Sequence, residues 1–212
     1  MPVPQADLGR VAAAHDRLAQ AIEALTDDDM RRASLLPGWT AGHVLTHLAR
    51  NADSHLRRAD AACRGEVVDQ YPGGPGRRQE EIEAGASRDA ATIVEDVRRT
   101  SSRLDAAWRA VPPDAWRGRS RDANGQMRFL FELPARRWQE VEVHVVDLGI
   151  GITPAQWSEE FVVAWFPRTK ERLWGALSPE ARAVEFDDPA DHLAWLYGRL
   201  ERPDLPPLPS WG

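Results

Sequence analysis

Four long runs in this 212-residue chain place apolar side chains three and four residues apart, a pattern that packs helices against one another. The first run spans 5–26, with Leu8, Val11, His15, Leu18, Ile22 and Leu25 at the periodic positions. The second follows the Pro37-Gly38 turn. Thr40 reads as its N-cap, because the hydroxyl can satisfy an orphan first-turn amide, and Gly65 suits the position just past its end. Val44, Leu48, Ala52 and Leu56 form its apolar stripe. The third begins near Ser87, carries Ile93, Val97, Leu104, Trp108 and Val111 on one side, and stops at Pro112-Pro113. The fourth runs from Pro134 to about Gly149. Its "VEVHVV" alternates and is β-branched, which favours a strand. Trp138, Val141, Val145 and Leu148 also fit a 3.6-residue period, and the run is long for a strand, so a helix is expected.

The connections read as follows. "GGPG" at 73–76 is a flexible loop, "RRQEEIEAG" a short helix, and Asn124-Gly125 the turn of a small hairpin. After Gly149 the texture changes. A further helix is limited or kinked by Pro167, "RAVEF" reads as a short strand, "DPADHLAWLYGRL" as a last short helix, and a proline-rich tail ends the chain. The expected domains are 1–150 and 151–212. A net charge of -6 disfavours a general nucleic-acid-binding surface. No apolar run approaches the roughly 20 residues of a membrane span, and "MPVPQADLGR" lacks the parts of a signal peptide. The sole cysteine, Cys63, cannot form an internal disulfide. A cytoplasmic protein is expected, and its oligomeric state is not legible.

His47, Asn51 and His55 fall beside the apolar stripe of the second run, where a bundle places a ligand site. Glu140 and His144 lie four apart, on one face of the fourth. With His47 they make two imidazoles and one carboxylate, the three-ligand pattern of a catalytic zinc site. The spacing alone fits an ordinary i,i+4 contact equally well, and nothing in it brings His47 to the pair.

"SLLPGWTAGHVLTHLARNAD", followed in order by "RRQEEIEAG", "RLDAAWR" and "QEVEVHVVDLG", resembles the mycothiol-dependent maleylpyruvate isomerase family. The resemblance implies a mainly α fold: a DinB-like four-helix bundle, then a small C-terminal α/β segment of sterol-carrier type. It implies a divalent metal, usually zinc, on His47, Glu140 and His144, with His43 in a supporting role. "WLYGRLERPDLPPLPSWG" resembles the family's C-terminal end and places its functional arginine at Arg199. The stretch 176–191 is short, so most strands of that segment are expected to be missing or reduced. The implied activity is cis-trans isomerisation of maleylpyruvate to fumarylpyruvate by reversible addition of mycothiol, a low-molecular-weight thiol. The alternatives are a mycothiol S-transferase acting on an electrophilic metabolite or drug, and a non-catalytic metal- or ligand-binding bundle.

Several other residues carry expectations. Asn51 either binds the cofactor or serves a local hydrogen-bond network. His15 is buried or part of a pocket wall, and His55 is structural or exposed. Asp147 is an exposed carboxylate or a partner to a metal ligand. Arg136 and Arg137 either bind an anionic substrate or, as is commoner, form a solvated face; Trp39 is a core contact beside the N-cap, and Cys63 is a bystander.

Overall fold

In the computed structural model, which describes residues 3–208, the α-helices of the bundle unit are α1 (Gln5–Ala21), α2 (Asp27–Arg31), α3 (Ala41–Cys63), α4 (Gly74–Ala86), α5 (Ala90–Ala110) and α6 (Leu133–Asp147). Side-chain caps start three of these six, α2, α3 and α5. The expected first run, 5–26, is helical only as far as Ala21, and α2 begins just past its end. Thr26 and Asp29 form a reciprocal capping box that starts α2 afresh after the turn. Thr40 caps α3 as expected, and Gly65 follows its end at φ +71°. The cap of α5 is Asp89 rather than Ser87, its carboxylate accepting the Thr92 N–H at 2.8 Å. "GGPG" is not a loop. Gly73, at φ +84°, caps α4, and Pro75 sits in the first turn, where its missing N–H costs no helical bond.

The four long helices α1, α3, α5 and α6 close a square, with α1 on α5, α5 on α3, α3 on α6 and α6 on α1. "VEVHVV" is helical within α6, and Val141, Val143 and Val146 are buried there beside Trp138. Val44, Leu48 and Ala52 are fully buried. Against α3 also lies α4, at close range. A Cβ on Gly85 would stand 2.4 Å from Thr46 Cγ2, and one on Gly42 would stand 2.7 Å from the Ala86 carbonyl oxygen. The expected hairpin pairs β1 (Arg119–Arg121) with β2 (Met127–Phe129), antiparallel, with Gly125 at φ +76° in its turn.

The chain divides into two compact units at the Gly149–Ile150 junction. The second unit carries α7 (Glu159–Leu173), α8 (Pro179–Arg182) and α9 (Pro189–Leu196), and α7 continues through Pro167. Leu177, Ala181, Trp195 and Leu196 form its core, with Phe166, Phe186 and Leu205 packed on it. "RAVEF" is not a strand. It has no neighbouring strand to pair with, and Phe186 instead packs on His192 and Trp195 of α9. The regular elements of this unit's described part are all helices, so β1 and β2 are the only named strands among the described residues. Residues 209–212 of the proline-rich tail lie outside the described residues.

Candidate metal centre

The first turn of α3 explains why two histidines stand one turn apart. His43 completes the N-cap: its Nδ1 accepts from the Thr40 backbone N–H at 3.1 Å, while the Thr40 hydroxyl accepts the His43 N–H. Its Nε2 lies 3.1 Å from Glu83 on α4. His47, one turn on, is freed from capping and points inward, 4% exposed, with the Trp39 ring 5.8 Å away.

The structure brings His47 together with the Glu140 and His144 pair. Glu140 Oε2 lies 3.2 Å from His47 Nε2 and 3.4 Å from His144 Nε2, and one donor atom from each residue falls within 4.8 Å of the others. A tetrahedral zinc ion bound at about 2.0–2.1 Å holds its ligand atoms roughly 3.3 Å apart, so these separations suit a shared cation. Two imidazoles and a carboxylate are also the donor types that a divalent first-row ion accepts.

The surroundings supply an orientation. His144 Nδ1 lies 2.8 Å from Asp147 Oδ2, and Asp147 is fully buried. That contact fixes the proton on Nδ1 and leaves Nε2 for the centre. On the other ligand, Arg78 of α4 donates from Nη2 to His47 Nδ1 at 3.0 Å. The electrostatics follow from these contacts. Burial pushes His47 down to about 4, with Glu140 opposing and His144 and Arg78 adding to the shift. Burial also disfavours charge on His144, but its bonds to Asp147 and Glu140 outweigh it and push the imidazole up to about 9. Glu140 is held well below the usual carboxylate range, since the two histidines outweigh the upward effect of burial. As protonated groups, the three resolve into a carboxylate, a neutral imidazole and an imidazolium. A dication in place of one proton suits that set.

The other expected residues are placed as follows. Asn51 is buried, and its Oδ1 accepts from Arg137 Nη1 at 3.0 Å. His15 is buried between Asp105 and Arg137. His55 is buried with its ring 5.7 Å from Trp108, not exposed. Asp147 is the buried partner of a candidate ligand, not an exposed carboxylate. Arg137, expected on a solvated face, is completely buried, because three polar groups of α1 and α3 receive its guanidinium. Cys63 is exposed at the end of α3. In the second unit, Arg199 donates from its backbone to the Ala194 carbonyl at 2.8 Å and from its guanidinium to the Tyr197 carbonyl. The sequence reading missed Arg78. The signal available was its place in "RRQEEIEAG", a stretch read for its helicity and its family resemblance but not for its arginines.

Fold and cluster together define a class: a helical bundle presenting a His/Glu/His set from two facing helices. A family model described as "Mycothiol maleylpyruvate isomerase N-terminal domain" matches residues 11–149, and the chain belongs to that family. Among solved structures, the chain is similar to a mycothiol-dependent maleylpyruvate isomerase, at 23% identity and TM-score 0.84, over 97% of each chain. A histidine-to-alanine mutant of the mycothiol-dependent maleylpyruvate isomerase matches at 22% identity and TM-score 0.84, again over 97% of each chain. YfiT from Bacillus subtilis, described as a probable metal-dependent hydrolase with an unusual four-helix bundle topology, matches at 16% identity and TM-score 0.58, over 69% of this chain and 83% of its own. At these identities the structural likeness speaks for the fold. No curated protein matches the chain. No helix among the described residues is long and apolar enough to cross a membrane.

Proposed function

We propose that this chain is a cytoplasmic enzyme that isomerises maleylpyruvate to fumarylpyruvate with mycothiol and a divalent metal, zinc. The observation that carries this reading is the convergence of His47, Glu140 and His144 in a chain of the isomerase family. Those three side chains would hold the metal, which when bound supplies Lewis acidity and favours a thiol sulfur in its ionised, nucleophilic form. Asp147 keeps His144 in the tautomer that presents Nε2. Trp39, against both His43 and His47, limits water at that side of the cluster.

The reaction balances without a further reactant. The thiolate sulfur adds to one carbon of the cis double bond, and the displaced electron pair moves onto the conjugated carbonyl oxygen. The former double bond is now single and rotates. The electron pair returns, the carbon–sulfur bond breaks, and the trans isomer leaves with the thiol regenerated. The substrate carries two carboxylates, and Arg199 is proposed to pair with one through its planar fork.

The test is an assay of purified protein with mycothiol, maleylpyruvate and zinc, beside one with a generic electrophile. Isomerisation that needs both thiol and metal supports the reading. Conjugate formation without isomerisation would replace it with an S-transferase.

A further inference from the structure

A single run of hydrogen bonds crosses the bundle interior and touches all four long helices. Arg137 of α6 donates from Nε to His15 Nε2 of α1 at 3.1 Å. From Nη1 it donates to the Leu48 carbonyl at 2.9 Å and to Asn51 Oδ1 at 3.0 Å, both on α3. Because His15 Nε2 accepts, the His15 proton sits on Nδ1, which faces Asp105 of α5 at 3.0 Å.

This arrangement is not what stability alone would select. Arg137 is fully buried, and none of these three bonds goes to a carboxylate. Apolar residues of similar volume commonly match or exceed the stability of a buried charged network, and the best-attested use of such networks is to fix register. The position of Arg137 gives register a purpose here. Glu140 is one turn further along α6, about 4.5 Å at 1.5 Å per residue. Leu48 directly follows His47, and Asn51 is one turn beyond it. The apolar seam between α3 and α6 tolerates sliding, since dispersion and burial are non-directional. A hydrogen bond of this length does not, and metal ligands tolerate only about ±0.2 Å.

We propose that Arg137 is a positioning residue for the candidate metal centre, locking α3 to α6 in the register that brings His47 to Glu140 and His144. The inference rests on the metal reading given above.

The test compares zinc affinity, by chelator competition, with urea stability of the zinc-stripped protein. Three proteins are needed: wild type, Arg137→Met, and the triple variant His15→Phe/Asn51→Leu/Arg137→Met, which removes the two side-chain acceptors together with the donor. Arg137→Met should lose both stability and zinc affinity, the latter by about 10- to 100-fold, as for other residues that orient metal ligands. The triple variant should regain stability but not affinity, and its cobalt-loaded visible spectrum should differ from wild type. Wild-type zinc affinity in the triple variant overturns the proposal, since the network would then serve folding alone. Arg137→Lys provides a second route if the triple variant does not fold. It keeps the charge but donates from a single nitrogen, without the rigid fork that holds Nε on His15 and Nη1 on Leu48 and Asn51, and wild-type affinity in folded Arg137→Lys also overturns the proposal. A wild type that binds no zinc fails the metal reading instead, a distinguishable result.

Discussion

Arg78 donates to His47 Nδ1 across 3.0 Å, and this sets the proton of His47 on the opposite nitrogen. Neutral imidazole has one N–H and one lone pair. With Nδ1 accepting from Arg78, Nε2 carries the proton and faces Glu140 Oε2 at 3.2 Å. A cation on Nε2 needs that lone pair, so the proton must move to Nδ1, where it opposes the Arg78 donor. Metal uptake and the Arg78–His47 bond therefore compete. Arg78→Met should bind zinc more tightly, by several-fold and up to about tenfold, which is less than the full worth of a charged hydrogen bond because Arg78 is partly exposed. Chelator competition on both proteins measures it, and weaker binding by the variant would show that Arg78 supports the site instead.

His144 presents the opposite case. Its Nδ1–H is already committed to Asp147, so a cation need only displace the proton on Nε2, with no transfer to the other ring nitrogen. Asp147→Asn should therefore lower zinc affinity about 10- to 100-fold without removing a ligand. His47→Ala, Glu140→Ala and His144→Ala should each lose the metal outright. All four variants should remain folded, since the bundle buries an apolar core of its own, including Leu45, Leu48, Leu104 and Trp108. Elemental analysis beside far-UV circular dichroism checks both halves. Stoichiometric zinc in any of the three alanine variants would remove that residue from the ligand set.

The sequence made some of this legible and hid the rest for physical reasons. Periodicity and capping are local, so Thr40 and Gly65 could be read directly, whereas "VEVHVV" alternates like a strand and its helix followed only from the 3.6-residue period and length of the whole run. Glu140 and His144 share a face by helix geometry, but His47 lies on another helix, and only the family resemblance joined it to them. Arg137 was misread because a residue in an Arg-Arg pair looks solvated. Its burial depends on His15 and Asn51, both distant in sequence. "RAVEF" was misread because β-propensity does not form a strand without a partner. Asp147 sits near a helix end, where carboxylates are usually exposed, and its burial depends on His144 and the packing around it.

Acid sensitivity should trace to His55. Burial, then the charges of Arg58 and Arg137, hold its imidazole well below its usual range, against a weaker opposing effect of Glu140, with His15 adding to the shift. The folded-state pKa is thus lower than that of the unfolded chain, near 6.5. Neutral His55 contributes in full above about pH 6.5, and the contribution is lost as pH falls below that value toward the folded pKa. His55→Phe retains an aromatic ring against Trp108 and cannot titrate. In zinc-stripped protein, wild type should lose about 1 kcal/mol relative to this variant between pH 7.5 and 5.5. Parallel urea-unfolding curves at the two pH values, with no change in the gap, would contradict the assignment.

The nucleophile should come from outside the chain. Cys63 is solvent-exposed at the end of α3, four turns along the helix from His47. Cys63→Ala should keep full activity, and wild type should have none until a low-molecular-weight thiol is added. Turnover without added thiol that disappears in Cys63→Ala would refute the thiol-addition mechanism as a whole.

Arg199 carries the last prediction. It follows Gly198, a left-handed residue at φ +68° that ends α9, and its backbone N–H closes on the Ala194 carbonyl. This turn fixes the backbone at Arg199 however the side chain is used. If the guanidinium pairs with a substrate carboxylate, Arg199→Ala loses a charge-assisted hydrogen bond of roughly 1.5–3 kcal/mol. That corresponds to a fall in kcat/KM of about ten- to a hundredfold. Zinc content should not change, because Arg199 is not among the ligands. Arg199→Lys should recover only part of the loss, since an ammonium lacks the planar fork that matches a carboxylate. The competing account is that Arg199 only satisfies the last carbonyls of α9, as its bond to the Tyr197 carbonyl allows. Under that account the alanine variant loses stability and keeps its kcat/KM. Steady-state kinetics and a thermal melt on the same preparation separate the two. A variant with wild-type kcat/KM would remove Arg199 from the substrate site.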